Sequence, residues 1–250
     1  MKRILHLALY PPALLFLLLI WYLLSQSCGE DVIPDPLSTL KAFVAMAAND
    51  EFVHSFYVSL MRLSAALLLS ALIAYPAGLW LGLSARADLI CAPLLYLTYP
   101  IPKIVLLPVF FLLLGLGDLS RIALIALSCS YQIAMIVRAS AKRLPKAYTD
   151  SMKFMGGSKL DCLIHVWLPA TLPDFLTSMR VATGTAVAVL FLAESFATEA
   201  GLGFMIMDAW GIGDGITMFC AMIGISLLGL IFYISFALLE KILCPWHQKR

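Results

Sequence analysis

RASAKRLPKAYTDSMKFMGGSKLDCLIHVWLPATLPDFLTSMR, Arg138 to Arg180, is the one long polar stretch in the second half of the chain. Its reading decides the fold, because both neighbours are apolar: Ile122 to Val137 before it, and Val181 to about Thr198 after it, with Glu194 as the only charge. Two short helices are expected inside it. Pro145 suits a first helical position, and Lys146 to Met155 continue from it. Ala147, Ser151, Phe154 and Met155 then share one face, and Lys146, Asp150 and Lys153 another. Gly156 and Gly157 stop this helix, since glycine accepts the left-handed conformation of a C-terminal cap. Ser158 caps the second helix, with Asp161 as capping-box partner. Leu160, Leu163, Ile164 and Trp167 make its apolar stripe at the i, i+3, i+4, i+7 spacing. Pro169 is expected to end it and Pro173 to break the chain again.

Working outward, further apolar runs appear at Leu7–Leu24, Leu63–Ala85, Leu89–Gly117 and Gly215–Leu239. With the two that flank the polar stretch they make six, each near the ~20 residues that cross a bilayer as a helix. The composition agrees. Hydrophobic residues are 62% and charged residues 13%, at a mean hydropathy of +0.95, whereas soluble domains carry about 25% charged residues. A disordered chain, a secreted disulfide scaffold and nearly every soluble enzyme are excluded. No alternation suggests a β-barrel. The six cysteines form no C-x-x-C pair and read as small apolar packing residues. Leu7–Leu24 is long for a signal-peptide core, and Ser25-Gln26-Ser27 before Cys28 lacks the pattern of a lipoprotein cleavage site, so a membrane span is expected there. The fold class is an all-α integral membrane protein. The acidic segment Ser25–Phe56 is expected to hold a short surface helix in its second half, and the residues from Glu199 to Asp214 to form a Gly-rich outer loop.

Lys and Arg set the orientation. An inside N-terminus places Lys2, Arg3, Arg86, Arg138, Lys142, Arg143, Lys146, Lys153, Lys159, Arg180, Lys241, Lys249 and Arg250 inside, 13 of the 17 basic residues. The outer segments hold Glu30, Asp31, Asp35, Asp50, Glu51, Asp118, Glu199, Asp208 and Asp214. Both termini are therefore expected in the cytoplasm, and so is Arg138–Arg180. Most connections are shorter than this one, so its length calls for a reason. Its amphipathic helices either lie on the lipid surface or include one that docks into a soluble partner; the pattern alone does not choose.

The same stretch resembles a known family. Asp150-Ser151-Met152, three residues, Gly156, nine residues and Val166-Trp167-Leu168-Pro169 follow the E-A-A, G, I-x-L-P loop of bacterial ATP-binding-cassette importer permeases. Ser151 and Met152 replace the two alanines, Val166 replaces Ile, and Asp150 is one methylene shorter than the family Glu. YPIPKIVLLPVFFLLLGLGDLSR at Tyr99–Arg121, SLMR at Ser59–Arg62, AES at Ala193–Ser195 and GLG at Gly201–Gly203 are similar to the sulfonate/nitrate/taurine branch of that family. The resemblance implies a type I importer permease fold. It divides the chain into residues 1–56, an N-terminal span and acidic outer segment, and 57–250, a five-helix core with a cytoplasmic coupling loop at 139–178. It implies docking of a cytoplasmic ATPase through Lys146, Ala147, Asp150, Ser151, Met152, Lys153, Phe154 and Gly156, with Leu168 and Pro169 closing the motif. It also implies a second permease copy, in all expectation identical, an extracytoplasmic solute-binding protein, and residence in the bacterial inner membrane. The expected solute is a sulfonate, nitrate, taurine or similar, or a vitamin precursor, moved by alternating access.

Ionisable groups inside spans are costly and usually functional. Lys103 follows Pro100-Ile101-Pro102 in the third span, and broken helices often mark transport pathways. These three polar or helix-breaking residues, Pro100, Pro102 and Lys103, are the candidates for the path. Lys103 either gives the path a positive charge for anions or serves structurally, as an ion-pair member or a lysine reaching toward an interface; the structural reading is favoured. Arg62 and Glu194 fall at similar depth near the outer ends of their spans, which allows a buried pair. Exchange of the two charges is then expected to restore folding. No catalytic set, phosphate loop, metal site or cofactor motif is present, and the net charge of +2 implies no nucleic-acid partner. An ion-coupled secondary transporter is the alternative; it predicts an inverted repeat and more intramembrane acids than Glu194.

Overall fold

The computed structural model describes residues 2–29 and 32–246, with side chains from residue 11 onward. Glu30, Asp31, His247, Lys249 and Arg250 lie outside the described residues, as do the side chains of Lys2, Arg3 and His6. In chain order the helices are α1 (Lys2–Cys28), α2 (Pro36–Met46), α3 (Asp50–Leu83), α4 (Ala85–Thr98), α5 (Leu107–Leu114), α6 (Asp118–Lys142), α7 (Lys146–Phe154), α8 (Lys159–Cys162), α9 (Leu168–Glu194), α10 (Leu202–Ile212) and α11 (Gly215–Leu243). A 3-10 turn, Lys103–Leu106, precedes α5, and a π turn, Leu163–Trp167, joins α8 to α9. No strand occurs among the described residues. Among the described residues five helices are long and apolar enough to cross a membrane, or six if the bent pair α4–α5 is one broken span.

The core is α3, α6 and α9, flanked by α11 and α10. Helices in lipid gain little from the hydrophobic effect between themselves, so close backbone approach through small residues matters more. Gly78 and Gly82 of α3 provide it. A Cβ on Gly78 would stand 2.8 Å from the Ala134 carbonyl, and one on Gly82 would stand 2.5 Å from Ala141 Cβ. By contrast α1 stands apart: from residue 11 onward most of its side chains are open to the surroundings, while Ser25 is buried and Trp21 stacks on Phe219 and donates to the Pro34 carbonyl at 3.0 Å. The acidic segment holds α2, which begins earlier than the helix expected in its second half and is capped by Asp35, whose carboxylate accepts from the Leu37 and Ser38 amides. α3 begins at Asp50, ahead of the division expected at residue 56. At 34 residues it is about 51 Å long, well beyond an about 30 Å hydrocarbon core, so its ends project from the membrane.

Two expectations need correction. Pro169 and Pro173 do not end the helix that starts at Lys159: α8, the π turn and α9 run on as one helix to Glu194. Pro169 sits at the start of α9, where the hydrogen-bond ladder changes register and its missing donor is not needed. The Leu160–Trp167 stripe is split by that π turn, and Leu160 and Ile164 are exposed. The polar stretch outside the long helices is correspondingly shorter, from the end of α6 to Ser158. The second correction concerns Glu199–Asp214, which is not a loop but contains α10. Gly201 caps its N-terminus and Gly213, left-handed at φ 77°, its C-terminus, while Leu202, Met205, Ile206 and Ala209 bury one face at helical spacing.

The third span is broken where its prolines fall. α4 and α5 meet at 87° across Tyr99–Pro102. Pro102 precedes the 3-10 turn, and Pro108 occupies the first turn of α5, where a missing N–H costs nothing.

Candidate functional sites

Three places gather the residues singled out in the sequence. The first is α7. The Ser158–Asp161 capping box after it is formed, and Gly156 takes φ 83°, so the chain reverses cleanly between α7 and α8. Lys146, Ala147, Asp150, Ser151 and Lys153 are exposed, as are Phe154 at 91% and Met155 at 76%; Met152 is half-buried. α7 is held to the long helix by one side-chain hydrogen bond, from the Trp167 indole to Thr149 Oγ1 at 3.2 Å. Beneath it lies an apolar groove of about 410 Å³ bordered by Tyr148, Met152, Met155, Val166, Pro169 and Trp246. Leu168 is not part of that surface: it packs on the core, and its carbonyl accepts from Tyr75 Oη at 3.2 Å.

The same end of the molecule carries an ion cluster the sequence reading left out. Asp88, in the first turn of α4, pairs with Arg138 and Lys142 of α6. Arg138 also donates to Tyr96 Oη at 3.1 Å. Asp174 of α9 takes Ser140 and Arg143, and Glu240 of α11 takes Arg180 at 3.4 Å. These pairs tie the helix ends around α7 to one another.

The second place is the break in the third span. Lys103 Nζ donates to the carbonyls of Thr98, Tyr99 and Ile101, with the latter two at 3.0 and 2.9 Å, and lies 4.3 Å from the centre of the Tyr131 ring. An α-helix that stops leaves its last carbonyls without partners, and the ammonium supplies them here. Pro100 and Pro102 create the open carbonyls and Lys103 closes them. A cavity of about 360 Å³ lies against this turn, with Ser128, Tyr131 and Gln132 of α6 and Thr185 and Leu192 of α9 on its other walls.

The third place is at the far end from α7. Arg62 Nη1 is 2.9 Å from Glu194 Oε1, and Glu194 is fully buried. Neither residue has only the other. Glu194 accepts from Ser59 Oγ at 2.9 and 2.8 Å and from the Gly203 amide at 2.9 Å. Arg62 also binds Asp118 at 2.6 Å, the Ala200 carbonyl at 2.8 Å and Thr198 Oγ1 at 3.4 Å. A Cβ on Gly201 would stand 2.6 Å from the Glu194 carboxyl carbon, and one on Gly203 2.6 Å from Glu194 Cβ, so the glycines are what let α10 close over the carboxylate. Arg121, 1% exposed, spends its guanidinium on the carbonyls of Leu116, Gly117, Ala193, Phe196 and Ala197. Arg121 was legible as an oddity, a cation in the first turn of α6 where the helix dipole disfavours it.

The geometry revises the charge-exchange expectation. A glutamate at position 62 would face Asp118 and the Ala200 carbonyl, and an arginine at 194 would face the Gly203 amide. The exchange therefore swaps one pair but sets Asp118, the Ala200 carbonyl and the Gly203 amide against it.

Comparison with known proteins brings these places under one heading. A sequence profile described as "Binding-protein-dependent transport system inner membrane component" matches residues 74–245. The chain is 29% identical to the taurine transport system permease protein TauC of Escherichia coli (strain K12), over 92% of this chain and 86% of that one. It is 28% identical to the formylaminopyrimidine transport permease protein ThiX of Halalkalibacterium halodurans, over 96% of both, and 23% identical to the nitrate import permease protein NrtB of Synechocystis sp. (strain PCC 6803), over 95% and 89%. Among solved structures, an inward-facing form of the MetNI methionine ABC transporter aligns with a TM-score of 0.67 at 15% identity, covering 77% of this chain and 96% of that one.

Proposed function

The chain belongs to the binding-protein-dependent transport system inner membrane component family, and on that premise we propose how it works. It is the membrane-spanning permease subunit of an ATP-binding-cassette importer. We assign to α7 the docking of a separate cytoplasmic ATPase, which supplies the hydrolysis this chain has no phosphate loop to perform. One observation carries this: α7 presents Phe154, Met155 and Asp150 uncovered, on a helix outside the long ones, while the surrounding ion pairs fix the helix ends that would receive its motion. Exposed large apolar side chains on a short polar helix suit the groove of a partner.

The rest of the assembly follows. Residues 139–178 hold the coupling element, both termini face the cytoplasm, and the Arg62–Glu194 end faces out, toward a solute-binding protein. Two identical copies enclose the path, since one copy leaves the cavity at Lys103 open on a face where Tyr99 and Ile101 are exposed. Pro100, Pro102 and Lys103 shape that path. ATPase closure favours one arrangement of the spans over the other. The solute is small and of the kinds carried by the relatives: taurine, nitrate, a sulfonate or a formylaminopyrimidine.

The test is capture. The tagged chain, solubilised from membranes of its own host, is expected to bring down an ATPase subunit, and the double variant D150K/F154S, altered at two exposed positions, to lose it while keeping its yield and melting temperature. Equal capture by that folded variant would refute docking at α7.

A further inference from the structure

We propose that the cavity against the broken span is a solute subsite, and that it takes the planar, uncharged part of a small nitrogen-containing solute and not a free anion. This rests on the permease reading and narrows it.

The first ground is where the polarity sits. Along α6 and α9 most open positions are apolar, yet at the cavity the two helices present an amide and a hydroxyl. Thr185, exposed, donates to Gln132 Oε1 at 3.2 Å. Gln132 Nε2 has no partner among the described residues, so its two N–H groups are available to whatever fills the cavity. Unsatisfied amide donors are unfavourable against hydrocarbon and expected where a helix face lines a hydrated path. The volume, about 360 Å³, falls in the range of about 300–1,000 Å³ that holds small ligands.

The second ground is the state of Lys103. It is the only cationic side chain on the cavity wall. An ammonium has three donors, and all three are taken by the carbonyls of Thr98, Tyr99 and Ile101, with the Tyr131 ring beside them. An entering anion finds no free ammonium donor and can be met only by the neutral amide of Gln132, without the charge-assisted hydrogen bonds that hold anions strongly. What the wall does offer is two aromatic rings, Tyr99 and Tyr131, the Gln132 amide donors, and the aliphatic Val189 and Leu192. A flat heterocycle with ring-nitrogen or carbonyl acceptors matches each of these: offset stacking on an aromatic ring, an acceptor for the amide, and apolar contact behind.

The experiment is protection of a cysteine reporter. Ala188 is exposed on the cavity wall and carries no polar group. The full chain with A188C, in a C28S/C91S background, is placed in lipid nanodiscs and labelled with a water-soluble maleimide, the parent without A188C giving the background from the buried cysteines. Probes at equal millimolar concentration are 4-aminopyrimidine, nitrate and methanesulfonate. The expected result is that A188C labels, that 4-aminopyrimidine slows labelling several-fold, that the two anions leave the rate unchanged, and that Q132L, measured against its own unprotected rate, loses the protection. I101C, on the opposite wall, is a second reporter expected to behave alike. Protection by the anions instead, protection by no probe, or failure of both reporters to label would overturn the subsite. None of these touches the capture experiment at α7, so the failure of one reading is distinguishable from the failure of the other.

Discussion

The two ends of the molecule treat charge in opposite ways. At the Arg62–Glu194 end, the guanidinium groups of Arg62 and Arg121 and the Glu194 carboxylate are buried; Glu194 accepts from Ser59 and the Gly203 amide, and the guanidinium groups donate to Glu194, to the exposed Asp118 and to backbone carbonyls. At the α7 end, the basic and acidic side chains of the helix itself stand in the open beside bare Phe154 and Met155, and only the flanking helix ends are paired. The first arrangement is costly to form and costlier to break; the second costs little and leaves surface to spare. A permease needs both, a fixed frame at one face and a free handle at the other.

The sharpest way to break this contrast is at Glu194. R62L takes the counter-ion from the fully buried Glu194, leaving it only Ser59 and the Gly203 amide, and E194L strips Arg62 of its buried partner, a loss of about 3–5 kcal/mol that should appear as a collapse in yield and melting temperature in detergent. The exchange R62E/E194R is expected to fare no better than either, against the simple pair expectation; recovery of the wild-type melting temperature would show that the other partners do not matter. Next in size is G82A, whose new Cβ meets Ala141 at 2.5 Å and the Arg138 carbonyl at 2.8 Å. It should cost about 1–3 kcal/mol by overpacking, read as a lower melting temperature.

A smaller effect is expected at Asp214, which caps α11 through the Thr217 amide at 3.0 Å. Hydrogen bonds from Thr217 hold its carboxyl below the usual aspartate range. The folded pKa being depressed, the cap's contribution is present above the unfolded pKa and fades as pH falls through the folded one. D214A should therefore cost about 1 kcal/mol at neutral pH, and the gap to wild type should narrow in acid. Smallest of all is F154S, within about 0.5 kcal/mol because nothing packs on that ring; a clear drop in melting temperature would mean that α7 is built into the frame after all.

What could be read from the sequence follows the strength of each local signal. The six apolar runs, the break at Pro100–Pro102, the Ser158–Asp161 box and α7 itself were legible because hydropathy, proline and capping act over a few residues. The continuous helix through Pro169 was not, since a π turn depends on how the widened ladder is accommodated in three dimensions. α10 was hidden by its glycines, although Leu202, Met205, Ile206 and Ala209 carried the helical period. Arg62 and Glu194 could be matched by depth, but Ser59, Asp118 and the Gly203 amide belong to the same site only through folding. Gly78 and Gly82, four residues apart in an apolar run, carried a readable sign of close helix approach.

That last contact has a mechanical consequence. At Gly78 and Gly82 the backbone of α3 comes close against Ala134, Val137, Arg138 and Ala141 of α6, which leaves no room there for side chains to rearrange. Two rods joined in this way slide with difficulty and travel together, like a chassis. On the docking proposed for α7, a stroke delivered there would be taken up elsewhere, along seams such as the one around α11 or at the elbow between α4 and α5, and those are the places to look for displacement between one working state and the next.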